Sequence, residues 1–131
     1  MSKQVDALIV GAGPTGLALG LGLLAQGKRV LIVEKHPDGL DFSRAILVNA
    51  DTLHALAPFG VSAPIREAGI AVDGFSLHVN GRVVSQARYV VDPQDLTHPV
   101  CLPQLHTEKI LSDRFLQNGG EIIRGYVFKP D

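Results

Sequence analysis

The chain has 131 residues, 46% of them hydrophobic and 19% charged, with a net charge of −1. That length suits one domain with a modest core, and that balance is globular, not disordered. Near-neutral charge argues against nucleic-acid binding and against electrostatic attachment to acidic membranes. One cysteine, Cys101, excludes an intramolecular disulfide and fits a reducing, cytoplasmic setting.

The chain opens on an apolar strand pattern, Val5-Asp6-Ala7-Leu8-Ile9-Val10. Gly11-Ala12-Gly13-Pro14-Thr15-Gly16 follows, then an apolar run to Gly27, then Arg29-Val30-Leu31-Ile32-Val33-Glu34. Strand, glycine turn, helix, strand and acid, in that order, are the sequence form of a βαβ unit that holds a dinucleotide. Gly11 permits the tight turn, Gly13 lets a pyrophosphate approach the backbone, and Gly16 lets the helix sit close to the sheet. Pro14 stands near the first helical position, where its missing N–H costs little. The helix N-terminus offers N–H groups and partial positive charge to phosphates. Glu34 follows at the distance expected of a carboxylate that accepts hydrogen bonds from a ribose 2′-OH.

Residues Ala7 to Gly27 carry no charge, which is long enough to suggest a membrane span. Gly11, Gly13, Pro14 and Gly16 interrupt the run, and a second strand pattern follows it at once. A buried strand and its crossover helix explain it better, so no membrane span is expected. A signal peptide is disfavoured by Asp6 in the leading segment and by the glycine turn where an apolar stretch is needed. The first helix is expected over roughly Pro14 to Gln26, apolar nearly all round and therefore buried on most faces, with Gly27 as its C-cap.

Lys35 to Asp41 reads as a turn-rich loop. A helix is expected from about Asp51 to Pro58, capped by Asn49 or Asp51 and stopped by Gly60. A short helix after Ser62 should end at Gly69. From Asp73 the period changes to two, with Phe75, Leu77 and Val79 alternating with polar residues. Asn80-Gly81 is a strong hairpin signal, and Arg82-Val83-Val84-Ser85 returns. Residues 86–103 read as irregular. A last helix is expected over about Thr107–Gln117, with Thr107 as its cap and Glu108 as a first-turn acid. Glu121-Ile122-Ile123-Arg124 reads as a third parallel strand beside the second, giving the order 3-2-1. The five histidines show no metal-ligand spacing. Cys101 reads as a small buried apolar side chain.

The fold expected is thus α/β, a Rossmann-like βαβ unit with an antiparallel hairpin insertion. Residues 1–70 and 104–131 form the dinucleotide-binding part, and residues 71–103 begin an inserted sheet. Three spaced segments resemble the FAD-dependent aromatic hydroxylases, the para-hydroxybenzoate hydroxylase-like class A flavoprotein monooxygenases. They are Val10 to Leu17 with Glu34-Lys35, then Ser43-Arg44-Ala45, then Pro103-Gln104 with Thr107-Glu108 and Leu111.

The resemblance implies FAD as cofactor, NAD(P)H as electron donor, and a phenol-like aromatic substrate hydroxylated with O₂. It implies that Gly11, Ala12, Gly13, Pro14, Thr15 and Gly16 cradle the pyrophosphate. Glu34 would hold the adenosine ribose with Lys35 beside it. Arg44 would neutralise the pyrophosphate or reach the flavin side, and Gln104 would touch the cofactor near the ribityl chain. Val127 or Phe128 would line the adenine pocket. No catalytic side chain is assigned.

Members of that family are much longer, and their later Asp-Gly and Gly-Asp segments have no counterpart here. The chain is therefore expected to be an incomplete, N-terminal part whose first strand lies at a sheet edge. Such an edge invites self-association or completion by a second polypeptide. Two other readings stay open: a dinucleotide-binding module without catalysis, and an NAD-dependent dehydrogenase. The latter explains Gly11 to Glu34 but neither Arg44 nor Pro103-Gln104.

Overall fold

The computed structural model describes residues 4–38, 45–89 and 98–129. Ser43 and Arg44 lie outside the described residues. Three parallel strands form the central sheet: β1 (Ala7–Val10), β2 (Val30–Glu34) and, last in the chain, Glu121–Arg124. The last strand pairs with β2, so the spatial order is the 3-2-1 arrangement expected. Among the described residues β1 has a neighbour on one side only.

The register decides what is buried. Ile9, Ile32 and Ile122 align across the three strands. On that face they meet helix α1 (Pro14–Ala25) and the later helix Gln104–Gln117, through Leu17, Leu21, Leu111 and Phe115. Each such apolar side chain removed from water contributes about 1.5–3 kcal/mol. Leu8, Val10 and Ile123 lie on the opposite face and are exposed. The Phe115 ring packs so closely on α1 that a Cβ on Gly20 would stand 2.7 Å from it.

Helix α1 is less enclosed than its composition suggests. Leu17, Gly20 and Leu21 are buried, while Leu19 is 54% exposed. An all-apolar helix in a three-stranded sheet has one layer to pack on, and its outer face finds none. Before β1, Asp6 accepts hydrogen bonds from the Arg29 backbone N–H (2.8 Å) and guanidinium (2.9 and 3.1 Å), clamping the start of β1 to that of β2. The side-chain bonds from Arg29 hold the Asp6 carboxyl well below the usual carboxylate range. The pair is exposed, so its net contribution to stability is small.

A second, small sheet is built from two-residue strands: β3 (Leu47–Val48), β4 (Ile70–Ala71) and a strand at Val100–Cys101. The last of these lies between the other two, antiparallel to both. Reading 86–103 as irregular therefore needs correction at Val100–Cys101, since two-residue strands carry no periodicity. Between β3 and β4 lie α2 (Ala50–Leu56), a 3-10 turn (Ala57–Phe59) and α3 (Ser62–Ala68). Gly60, at φ 70°, turns the chain out of the first pair. The hydroxyl of Ser62 donates to the Leu53 carbonyl and ties α3 to α2.

The hairpin pairs β5 (Gly74–Val79) with β6 (Arg82–Arg88), so β6 runs beyond Ser85. Asn80 and Gly81 both have positive φ, 48° and 76°, as a two-residue turn of this twist requires. The strand Val100–Cys101 is β7, and Cys101 is half-buried instead of enclosed.

Helix α4 (Gln104–Gln117) starts three residues before the expected position, and the last strand, Glu121–Arg124, is β8. Pro103 occupies the N-cap, and its carbonyl accepts the N–H groups of His106 (2.9 Å) and Thr107 (3.3 Å). Thr107 is therefore inside the helix and caps nothing. Proline sets the boundary because it has no N–H to donate to the residues before it and can stand just before a first turn.

Candidate cofactor site

The glycine turn joins β1 to α1. Gly11 has φ +106°, a conformation that side chains rarely adopt, and its N–H donates to the Val33 carbonyl at 2.8 Å. Gly16 is fixed by packing: a Cβ there would stand 2.1 Å from the Gly11 carbonyl oxygen. The helix thus rests on its own entry turn as well as on the sheet. A Cβ on Gly13 would meet nothing within 4 Å. Gly13 thus leaves the space in front of the turn open. Pro14 occupies the first turn of α1, and no side chain caps that helix end. Its leading N–H groups are suited to a phosphate.

Glu34 closes the unit. One carboxylate oxygen accepts the Ala12 N–H at 2.8 Å and the other accepts the His36 N–H at 2.9 Å. The acid at the end of β2 is therefore bonded into the glycine turn itself. Partial burial pushes its pKa up, but the two backbone bonds, with the nearby His36 and Arg124, outweigh this and hold it below the ordinary 4.5. Glu34 is an anion at neutral pH, with acceptor capacity beyond the two N–H bonds it already takes.

A cavity of about 570 Å³ opens beside the turn. Three separate stretches of chain form its walls: Pro14, Thr15 and Ala18 of α1; Ala45 to Asn49 with the start of α2; and Leu102, Gln104, Thr107 and Leu111. Two backbone bonds hold the second and third stretches together, from Leu102 N–H to Ile46 O (2.7 Å) and from Gln104 N–H to Ala45 O (3.0 Å). Of the three segments singled out from sequence, Pro14 and Thr15 of the first, Ala45 of the second, and Gln104, Thr107 and Leu111 of the third line this one space.

Gly11, Ala12, Gly13, Pro14, Thr15 and Gly16 form the turn. Glu34 is bonded to it, and Pro14, Thr15 and Gln104 line the cavity. Lys35 is exposed beside Glu34. Val127 is 61% exposed and lies outside the cavity. Its neighbour Tyr126 donates its N–H to the Glu34 carbonyl at 3.0 Å, which keeps that segment beside the end of β2.

Sequence reading missed Thr107 and the start of α2. Thr107 lines the cavity, is buried, and has no hydrogen-bond partner for Oγ1. Asn49, Asp51 and Thr52 add polar groups to the opposite wall. Thr107 shares a helical face with Gln104 and Leu111, so the signal was present once the helix was started at Gln104.

An open glycine turn, an uncapped helix end, a fixed carboxylate and an unpaired buried hydroxyl all suit a polar, phosphate-bearing ligand. Together, β1, α1 and β2 define a dinucleotide-binding βαβ fold of the FAD type. The FAD binding domain family matches residues 4–128, and the chain belongs to it.

Over 125 residues, 94% of this chain, it is 33% identical to 12-dehydrotetracycline 5-monooxygenase/anhydrotetracycline 6-monooxygenase of Streptomyces rimosus subsp. rimosus. It spans about a quarter of the length of curated relatives it matches. In structure it resembles p-nitrophenol 4-monooxygenase PnpA from Pseudomonas putida DLL-E4, with a TM-score of 0.84 and 26% identity over 95% of this chain and 33% of that one. Aklavinone-11 hydroxylase, solved as a ternary complex with FAD and aklavinone, gives 0.74 and 29% over 95% of this chain and 26% of that one. Among the described residues no helix is long and apolar enough to cross a membrane.

Proposed function

We propose that this chain is the FAD-binding part of a flavin-dependent monooxygenase that hydroxylates a phenol-like aromatic ring with NAD(P)H and O₂. The observation that carries this reading is the convergence of the turn, the Ala45–Asn49 stretch and Gln104 on one cavity of about 570 Å³ beside Glu34. A plain NAD-dependent dehydrogenase needs only the turn and the acid.

Bound FAD, once reduced, supplies the chemistry that activates O₂ for hydroxylation. The chain's own residues bind and orient. Gly11 to Gly16 and the first turn of α1 would hold the pyrophosphate. Glu34 would accept from the adenosine ribose hydroxyls while it keeps the Ala12 N–H. Arg44 would pair with the pyrophosphate or reach the flavin side, and Lys35 would add positive charge beside Glu34. Gln104 would meet the ribityl chain, and Val127 would flank the adenine. Residues 71–103 would begin the part that faces substrate, and the open side of β1 would be completed by self-association or by a second polypeptide. The setting would be cytoplasmic.

Purified protein that carries the visible absorption of oxidised flavin, or binds FAD more tightly than ADP in calorimetry, supports this reading. Bleaching by NAD(P)H that quickens with an added phenol supports the full reaction. Colourless protein that binds ADP as well as FAD would favour a nucleotide-binding module without catalysis.

A further inference from the structure

Thr107 stands near the start of helix α4 and is 7% exposed, yet its Oγ1 has no hydrogen-bond partner among the described residues. A threonine inside a helix ordinarily turns its hydroxyl back onto the carbonyl four residues earlier. Here that carbonyl belongs to Pro103, which already accepts the N–H groups of His106 at 2.9 Å and Thr107 at 3.3 Å. A carbonyl has two lone pairs, so the hydroxyl finds this acceptor occupied. A buried hydroxyl left unpaired costs the fold free energy, and one that persists calls for an explanation.

The cavity supplies one. Thr107 is part of its wall, together with Pro14 and Thr15 from the glycine turn. Glu34, which is bonded to the same turn, is not part of that wall. A dinucleotide with its pyrophosphate on the turn and its adenosine ribose at Glu34 would thus send its other half into the cavity. In FAD that half begins with the ribityl chain, which carries hydroxyls that both donate and accept. We propose that Thr107 is a cofactor-binding residue whose hydroxyl bonds a hydroxyl of the ribityl chain. This rests on the reading of the cavity as part of an FAD site. The oxygen is covered as it stands; helical threonine has two χ1 rotamers, and binding selects the one that presents the hydroxyl to the chain. Asn49, Asp51 and Thr52 on the opposite wall are exposed, have water as an alternative partner, and gain less from a ligand.

Two measurements on the full chain test this, one of which needs no FAD. Thr107→Val keeps the branched shape and removes the hydroxyl, while Thr107→Ser keeps the hydroxyl. In thermal melts without FAD, Thr107→Val should unfold at or above the wild-type temperature, because no hydrogen bond is lost. In calorimetry, Thr107→Val should bind FAD about 2- to 10-fold more weakly than wild type, the range for one neutral hydrogen bond. Its affinity for ADP should be unchanged, and Thr107→Ser should bind FAD close to wild type.

A lower melting temperature in Thr107→Val, or its failure to fold, would overturn the proposal, since the hydroxyl would then serve the fold itself. Equal losses of FAD and ADP affinity would overturn the contact with the ribityl chain. So would unchanged FAD affinity in Thr107→Val, and if wild type still prefers FAD to ADP the FAD reading stands without it. Wild type that binds FAD no more tightly than ADP would instead overturn the FAD reading, and this contact with it.

Discussion

The β1-α1-β2 unit and the β5–β6 hairpin use similar residues to opposite ends. Both alternate or string together Val and Leu. In the first, Leu17, Leu21 and Ile32 are wholly buried between sheet and helices. In the second, Phe75, Leu77, Val79, Val83 and Val84 are all exposed, because no described layer lies beneath either face of the ribbon. A period of two shows how side chains are sorted between faces, and says nothing of whether a face is covered. The hairpin is held by its own ladder and its Asn80-Gly81 turn; the βαβ unit is held by packing.

The largest expected effect lies at the contact between α1 and α4. Phe115→Ala empties a site that touches Gly20, Gly120 and Ile32, and should cost about 4 kcal/mol in urea unfolding. Gly16→Ala comes next. Its methyl has a backbone oxygen to displace and not a flexible side chain, so a loss of about 3 kcal/mol is expected, with FAD binding impaired alongside.

Glu34→Gln is smaller. One of two backbone N–H groups would then face an amide NH₂, at a cost of about 1–2 kcal/mol. This variant also carries a pH signature. The Glu34 pKa is depressed in the fold, so its stabilisation is present above the unfolded value of about 4.5 and is lost as pH falls through the lower, folded value. The difference between wild type and Glu34→Gln should therefore shrink in melts taken below about pH 4.5.

The smallest effect belongs to the hairpin. Leu77→Thr should change stability by no more than about 0.5 kcal/mol. A cost near that of Phe115→Ala would show that the ribbon is covered in solution and would erase the contrast between the two regions.

Much of this was legible in advance. The glycine spacing and the acid after β2 reveal the cradle because each position answers to a local backbone demand. The convergence of Gln104 with Ala45 follows from resemblance and not from any local pattern. The Glu34 bond to Ala12 was not legible, since a carboxylate expected to meet a ribose gives no sign that it also serves the turn. The sheet β3-β7-β4 was hidden because pairs of residues have no period. Thr107 was misread because threonine is a common cap and Pro103, the actual boundary, was taken as part of a loop.

The small sheet has a consequence for how such a chain can change over evolution. Ala71 and Val100 are partners across one ladder, and Val72 N–H reaches the Pro99 carbonyl at 2.9 Å. The chain thus departs and returns at neighbouring points, like a bay with a narrow mouth. The hairpin, with the described residues from Asp73 to Tyr89, hangs from that mouth. Doubling the length of such an excursion costs only about 0.6 kcal/mol of closure entropy. Whatever this excursion carries can be lengthened, shortened or exchanged while the cavity walls at Ala45–Asn49 and Leu102–Gln104 keep their places.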